Sequence, residues 1–354
     1  MLKPTWNPFS SYADKFERRI EKLLRKAGRL GIFEIQRRVT ELMQENLVIF
    51  SLYMEARFKG YKYLKVGARK KMYRNAERIG QLFLRYTHGI TIKDEAVAGV
   101  LKQLGVLRPA APGDAERLRY LVAIMSFLRP DGVHYQYLEG ASFGKLLKNI
   151  EKGEKMIGDC NQIVTFYSYL YSLRYDIKEL QIKLLPGHIC LHYRGVDIEA
   201  TAGNFAKYEK FERILPIAEL ISTNLLDISD FRDKQIQVNP REFLKGAQLA
   251  FSLSSEREIV TTNLKAAYHN VALQVLKNND FENAREFFRK SGDNEMIKAT
   301  YGKEYNLVHS RVASLKDLAT MKMHRSDYQK MLDLAKKMED STLADNLRKI
   351  LNQL

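Results

Sequence analysis

The sequence predicts an α+β fold, a mostly helical chain whose strands are confined to its middle. Three observations lead there. Residues 11–86 contain no proline and repeat apolar residues at helical spacing; the stretch after Pro240 is helical in the same way; and only between about residues 133 and 215 do short β-type runs occur. The chain has 354 residues, 45% hydrophobic and 28% charged, enough to bury a core. At about 100 to 200 residues per domain, two or three domains are expected.

The first region, residues 1–108, reads as a basic helical domain. Phe16, Ile20, Leu23 and Leu24, then Ile32, Ile35, Val39, Leu42 and Met43, lie on helical stripes. Residues 1–90 hold 20 Lys+Arg against 8 Asp+Glu, so +12 of the formal +16 sits in the first quarter of the chain. Between Lys59 and Arg74 the basic residues interleave with Tyr61, Tyr63 and Tyr73. That pattern fits a solvated helix face with half-buried tyrosines, and it also fits contact with nucleic acid or another acidic partner. No helix-turn-helix, RNA-recognition or zinc-finger signature accompanies it. A helix is expected from about Lys93 to Leu104, followed by a Pro/Ala/Gly-rich linker at residues 108–114. Asp114 then caps a helix through Glu116 to Leu128, which Arg129-Pro130-Asp131-Gly132 stops.

Several function classes are excluded at this level. Two cysteines cannot build a disulfide framework, no Cys/His cluster has zinc-finger spacing, and no glycine-rich phosphate loop is present, so neither a metal nor a nucleotide cofactor is expected. His188, Cys190 and His192 share one strand face but lack a fourth metal ligand. The opening residues do not resemble a secretory signal, and the apolar run from Leu47 to Met54 is far shorter than the roughly 20 residues that cross a bilayer. A cytoplasmic, reducing location without a transmembrane segment is the expectation.

The last region, residues 240–354, reads as a helical-repeat domain. Val271-Ala272 and Val275, an Asn279-Asp280-Phe281 turn, then Ala284, Phe288 and Ser291 resemble a tetratricopeptide-type helix hairpin. One such unit cannot bury its own face, so neighbouring helices must stack on it, and the expected role is to hold a protein partner.

The chemistry is carried by the middle. Gly158-Asp159 is a turn, and Ile163, Val164, Tyr167, Leu170 and Tyr171 space as a buried helix running from Asn161 to Arg174, so Cys160 falls in its first turn. The partial positive charge of a helix start favours a thiolate, the nucleophilic form of cysteine. Short strands are expected at Val133–Leu138, Leu180–Leu185, Ile189–Tyr193 and Val196–Ile198. Pro186-Gly187 ends a strand and His188 opens the next, with His188, Cys190 and His192 on one side. A two-residue turn at Arg194-Gly195 pairs Tyr193 with Val196, His192 with Asp197, Cys190 with Glu199 and His188 with Thr201. Glu199 then lies diagonal to His188, within hydrogen-bonding reach, while Asp197 lies further along the ladder.

In the order Cys160, His188, Glu199, these motifs resemble the transglutaminase-like branch of papain-like thiol enzymes. Pro186-Gly187-His188 is similar to the Pro-Gly-His form of bacterial members, and Ile198-Glu199-Ala200-Thr201 to their acid-Pro-Thr strand, with Glu for Asp and Ala for Pro. The resemblance covers residues 115–215. It implies helices packed on a small antiparallel sheet, with Cys160 as nucleophile, His188 as base and later acid, and Glu199 holding the imidazole. It also implies a hydrolase or acyltransferase acting on protein or peptide amides through a thioester. Asn161 and Cys190 stand where animal-type members have Trp, and Gln162 is the candidate for the second oxyanion donor. The alternative is a non-catalytic scaffold of the same fold, an adaptor binding proteins through its helical repeats.

Overall fold

The computed structural model describes residues 11–106, 113–140, 142–148, 150, 153–209, 213–227 and 240–354, so most of the expected linker at 108–114 lies outside the described residues. The fold is α+β and mostly helical, with one five-stranded antiparallel sheet and one short parallel pair. No helix among the described residues is long and apolar enough to cross a membrane. By packing, the chain divides into residues 1–260 and 261–354.

The first unit opens with α1 (Lys15–Leu24), α2 (Ile32–Met54), α3 (Val66–Gly89), α4 (Asp94–Gln103) and α5 (Asp114–Phe127). Asp14 caps α1 by accepting from the Phe16 N–H. Helix α2 is kinked at Asn46, whose side chain accepts from the Ile49 N–H and restarts the helix. Strand β1 (Tyr135–Tyr137), α6 (Phe143–Lys148) and β2 (Met156–Gly158) then lead into α7 (Cys160–Ser172). Strands β1 and β2 pair in parallel, Tyr137 opposite Gly158, apart from the main sheet.

The main sheet holds β3 (Gln181–Leu185), β4 (His188–Tyr193), β5 (Val196–Glu199), β6 (Asn204–Ala206) and β7 (Arg213–Pro216), in the order β6-β5-β4-β3-β7. The β4–β5 turn has φ 45° at Arg194 and 82° at Gly195, the left-handed pair that a two-residue hairpin of type I′ needs. Tyr193 pairs with Val196 and His192 with Asp197, the register that the two-residue turn predicts. Pairing stops at Leu191 with Ile198, because β5 ends at Glu199, which pairs instead with Asn204 of β6. The expected pairs of Cys190 with Glu199 and His188 with Thr201 are therefore not part of the ladder. Helices α8 (Glu219–Leu226) and α9 (Pro240–Leu253) complete this unit.

The expected division near residue 110 does not separate two cores. Ile20, Val39 and Phe83 from the basic helices and Leu121, Ile163, Tyr167 and Ile198 from the α+β region belong to one continuous apolar cluster. Helix α7 explains this: from Ile163 to Leu170 nearly every side chain is fully buried, covered by α2, α5, α8 and β4. A helix apolar on all faces needs partners on all faces, and the N-terminal helices supply them. The second boundary falls at 260 and not at 240, because α9 packs on α2 and α8.

The second unit contains most of α10 (Arg257–Lys277), with α11 (Phe281–Ser291), α12 (Asn294–Val312), α13 (Leu318–Met323), α14 (Arg325–Lys337) and α15 (Ser341–Gln353). Val271, Ala272, Val275, Ala284 and Phe288 are buried between α10 and α11, the residues that the hairpin pattern singles out. The turn between α14 and α15 repeats the device sixty positions later: Asn279 and Glu339 have φ 57° and 63°, Asp280 and Asp340 follow them, and Ala284 and Ala344 are buried.

Buried ions tie the first helices together. Glu17, fully buried, accepts from Arg69 Nε at 2.8 Å and Nη2 at 2.9 Å and from the Ala13 N–H at 2.7 Å. Glu17→Ala would leave the Arg69 guanidinium buried without its counter-ion, so urea denaturation should show a loss of about 3–5 kcal/mol. A loss below about 1 kcal/mol would show that water reaches Arg69 and compensates.

Candidate functional site

Three side chains meet at the N-terminal end of α7. Asp159 caps the helix: its Oδ1 accepts from the Asn161 N–H at 3.1 Å, while its own N–H donates to Gln162 Oε1 at 3.0 Å. This reciprocal capping box starts the helix at Cys160. Gly158, just before it, has no room for a side chain, since a Cβ there would lie 2.9 Å from Leu146 Cδ1 and 3.1 Å from Gln162 Cβ. Cys160 is half-buried, a free thiol at the first helical position.

His188 is presented by the Pro186-Gly187 turn, where proline fixes the first turn residue and Gly187 takes φ 68°. Leu185 and His188 close this hairpin as a pair, so the imidazole stands at the very start of β4. Its Nε2 lies 2.7 Å from Glu199 Oε2. Cys160 lies close enough to the imidazole to raise its pKa. With Nε2 on the carboxylate, Nδ1 is the nitrogen left for sulfur.

Glu199 is nearly buried and held on both oxygens. Oε2 also accepts from the Tyr208 hydroxyl at 2.8 Å, and Oε1 from the Thr201 N–H at 3.2 Å and from the Thr201 hydroxyl. Burial works against the ionised form, but hydrogen bonds from His188, Thr201 and Tyr208 prevail and hold the carboxyl below its ordinary range. His188 is shifted the other way, up to about 10, by its hydrogen bonds to Cys160 and Glu199 against the opposing effect of burial. The arrangement thus favours a protonated imidazole beside the Glu199 carboxylate.

A second histidine–carboxylate pair lies deeper. His192 Nε2 accepts from the Gly195 N–H at 3.0 Å, which leaves Nδ1 to donate to Asp197 Oδ1 at 2.7 Å. Asp197 Oδ2 accepts from Lys183 Nζ and from the Tyr208 N–H, each at 2.8 Å. All three of these side chains are buried. Against the opposing effect of burial, His192 and Lys183 hold Asp197 below the usual carboxylate range. Its role is structural: it fixes the backbone of Tyr208, whose hydroxyl holds Glu199.

All three sequence-predicted residues, Cys160, His188 and Glu199, are thus brought together. Gln162, the expected second oxyanion donor, is buried, and its Oε1 accepts from the Asp159 N–H in the cap. Asn161, next to Cys160, donates from Nδ2 to Asp227 Oδ2 at 2.9 Å, and its Oδ1 is buried without a partner. Cys190 is fully buried on β4. His188 and His192 each engage a different carboxylate, and among the described residues no three His, Cys, Asp or Glu groups gather as a metal site.

Sequence reasoning missed Tyr208, Lys183 and Tyr137. Tyr137, nearly half exposed on β1, stands close enough to feel the charge of Cys160, which together with burial raises its phenol above the ordinary value. The strand signal at Val133–Leu138 was present, but nothing local paired it with Met156–Gly158.

No family model, curated protein or solved structure was found that matches the chain.

The His188 proton is held more tightly by the folded protein than by the unfolded chain. Its stabilising contribution is therefore present in full below the unfolded value of about 6.5 and is lost as pH rises through about 10. By NMR titration, His188 should remain protonated past neutrality, and Glu199→Gln should lower its pKa by about 1 to 3 units. A His188 that titrates near 6.5 in both proteins would contradict the geometry.

Proposed function

We propose that the chain is a thiol-dependent hydrolase or acyltransferase acting on amide groups of proteins or peptides, with the transglutaminase-like triad Cys160, His188 and Glu199. The observation that supports it most is the imidazole of His188 held by Glu199 at 2.7 Å, beside a thiol at a helix start that is close enough to raise its pKa.

In this mechanism His188 carries the proton that the thiol has given up. The Cys160 sulfur attacks the carboxamide or peptide carbonyl, and the backbone N–H of Cys160 faces the developing oxyanion. The imidazolium gives its proton to the departing ammonia or amine as the C–N bond breaks, leaving a thioester and a neutral His188. Water or an acceptor amine then loses a proton to His188 as it attacks the thioester, and that proton returns to sulfur on release. Glu199 stays ionised throughout and keeps Nδ1 aimed at sulfur. Protein or peptide is the substrate class, and the helical hairpins of residues 261–354 serve as the surface that holds a protein partner.

The test is incubation of the full chain with a glutamine-containing protein such as casein, with and without a biotinylated primary amine. Ammonia release, amine incorporation and peptide cleavage would be followed together. The expected result is one of these products, abolished by Cys160→Ala and reduced about 100- to 10,000-fold by His188→Ala. A rate unchanged in the Cys160→Ala protein would overturn the assignment of the nucleophile.

A further inference from the structure

We propose that the exposed face of α3 is a binding surface for the phosphate backbone of duplex nucleic acid. The inference is independent of the thiol chemistry and starts from where the +12 of residues 1–90 is placed.

Seven of the eight carboxylates in that stretch are engaged elsewhere. Glu17 pairs with Arg69, Glu21 with Arg25, Glu34 with Arg37 and Arg38, Glu41 with Arg37, and Glu45 with Arg19. Asp14 caps α1, and Glu55 accepts from the Phe143 and Gly144 N–H groups. Only Glu77 remains on α3 itself. Lys71, Arg74, Arg78 and Arg85 are exposed. The three arginines have no carboxylate partner among the described residues.

At 100° per residue these four cations fall within about 60° of one another around the helix, with Glu77 about 90° from their centre. They run along about 21 Å of axis at 1.5 Å per residue. The opposite face, Met72, Ala76, Ile79 and Phe83, is buried in the core, so the row is presented by a rigid element. Lys62 and Lys65, also exposed, extend it at the N-terminal end, where the first turn carries no acidic residue.

The chemistry of the row selects the partner. No large exposed apolar side chain lies on α3, so nothing is available to enter a bilayer. Three of the four cations are arginines, whose planar forks match phosphate oxygens. A phosphodiester strand offers an unbroken line of anions over 21 Å, which a folded acidic protein surface does not. The tyrosines of the segment point away from base stacking: Tyr61 is buried, its ring 5.8 Å from that of Tyr63, and Tyr73 donates to Glu17. Contact is therefore with the backbone and independent of sequence, the mode suited to a duplex.

The test uses fluorescence anisotropy of the full chain with labelled duplex DNA and duplex RNA of about 20 base pairs, long enough to span the row. Three arginine–phosphate contacts predict about a 40-fold loss of affinity between 50 and 200 mM salt. Arg74→Gln/Arg78→Gln/Arg85→Gln should weaken binding at least tenfold and flatten the salt dependence by about three ions. Its melting temperature and Cys160 alkylation rate should equal those of the parent. Preference for one duplex would identify the natural source. Absence of binding to both duplexes at low salt would overturn the proposal. So would unchanged affinity in the triple variant, or equal binding to polyglutamate or phosphatidylserine vesicles.

Discussion

Everything in the first unit is arranged around the start of one buried helix. Asp159 and Gln162 exchange hydrogen bonds across the first turn of α7, and that box decides which residue opens the helix. One residue earlier or later, Cys160 would rotate by about 100° away from β4. The helix is held in place by burial on every side, from Ile163 to Tyr171, by α2, α5, α8 and β4. The thiol packs against the same core, and the sheet presents His188 and Glu199 through two turns, Pro186-Gly187 and Arg194-Gly195.

The two histidine–carboxylate pairs of β4 and β5 show how environment separates roles. His192 and Asp197 are sealed with Lys183, whose cation balances the carboxylate, and no side chain of the three is free to exchange protons with a ligand. His188 and Glu199 lie at the open end of the same strands, with the imidazole about a quarter exposed and no lysine beside it. There Cys160 and Glu199 raise His188, while hydrogen bonds from His188, Thr201 and Tyr208 lower Glu199 against burial. The inner pair holds the Tyr208 backbone, and the outer pair is the one open to solvent.

Much of this was legible in the sequence because it rests on local signals. The apolar spacing after Gly158-Asp159 located α7, the Pro-Gly turn located His188, and a two-residue connection at Arg194-Gly195 placed Glu199 diagonal to it. What was not legible depends on long-range contact. Strand β2 has three residues and a partner twenty positions away, below any periodicity signal. Lys183 reads as a solvent-facing strand residue and is buried because Asp197 and the Tyr208 carbonyl receive it. The division at 260 could not be read from composition, since α9 carries no mark of the helices that cover it. The interleaved tyrosines fitted either half-buried residues of a solvated face or stacking platforms, and the structure turns Tyr61 and Tyr73 toward the protein while Arg74 stays exposed.

The central claim is that Cys160 and His188 act as one proton-sharing pair. The most direct measurement is the rate of carboxamidomethylation of Cys160 by iodoacetamide across pH, in a Cys190→Ser background, with and without His188→Ala. The account predicts rapid labelling of Cys160 at neutral pH that is lost when the imidazole is removed. Slow labelling at neutral pH that is indifferent to His188→Ala would contradict it, and would leave the fold as a scaffold with an inert thiol.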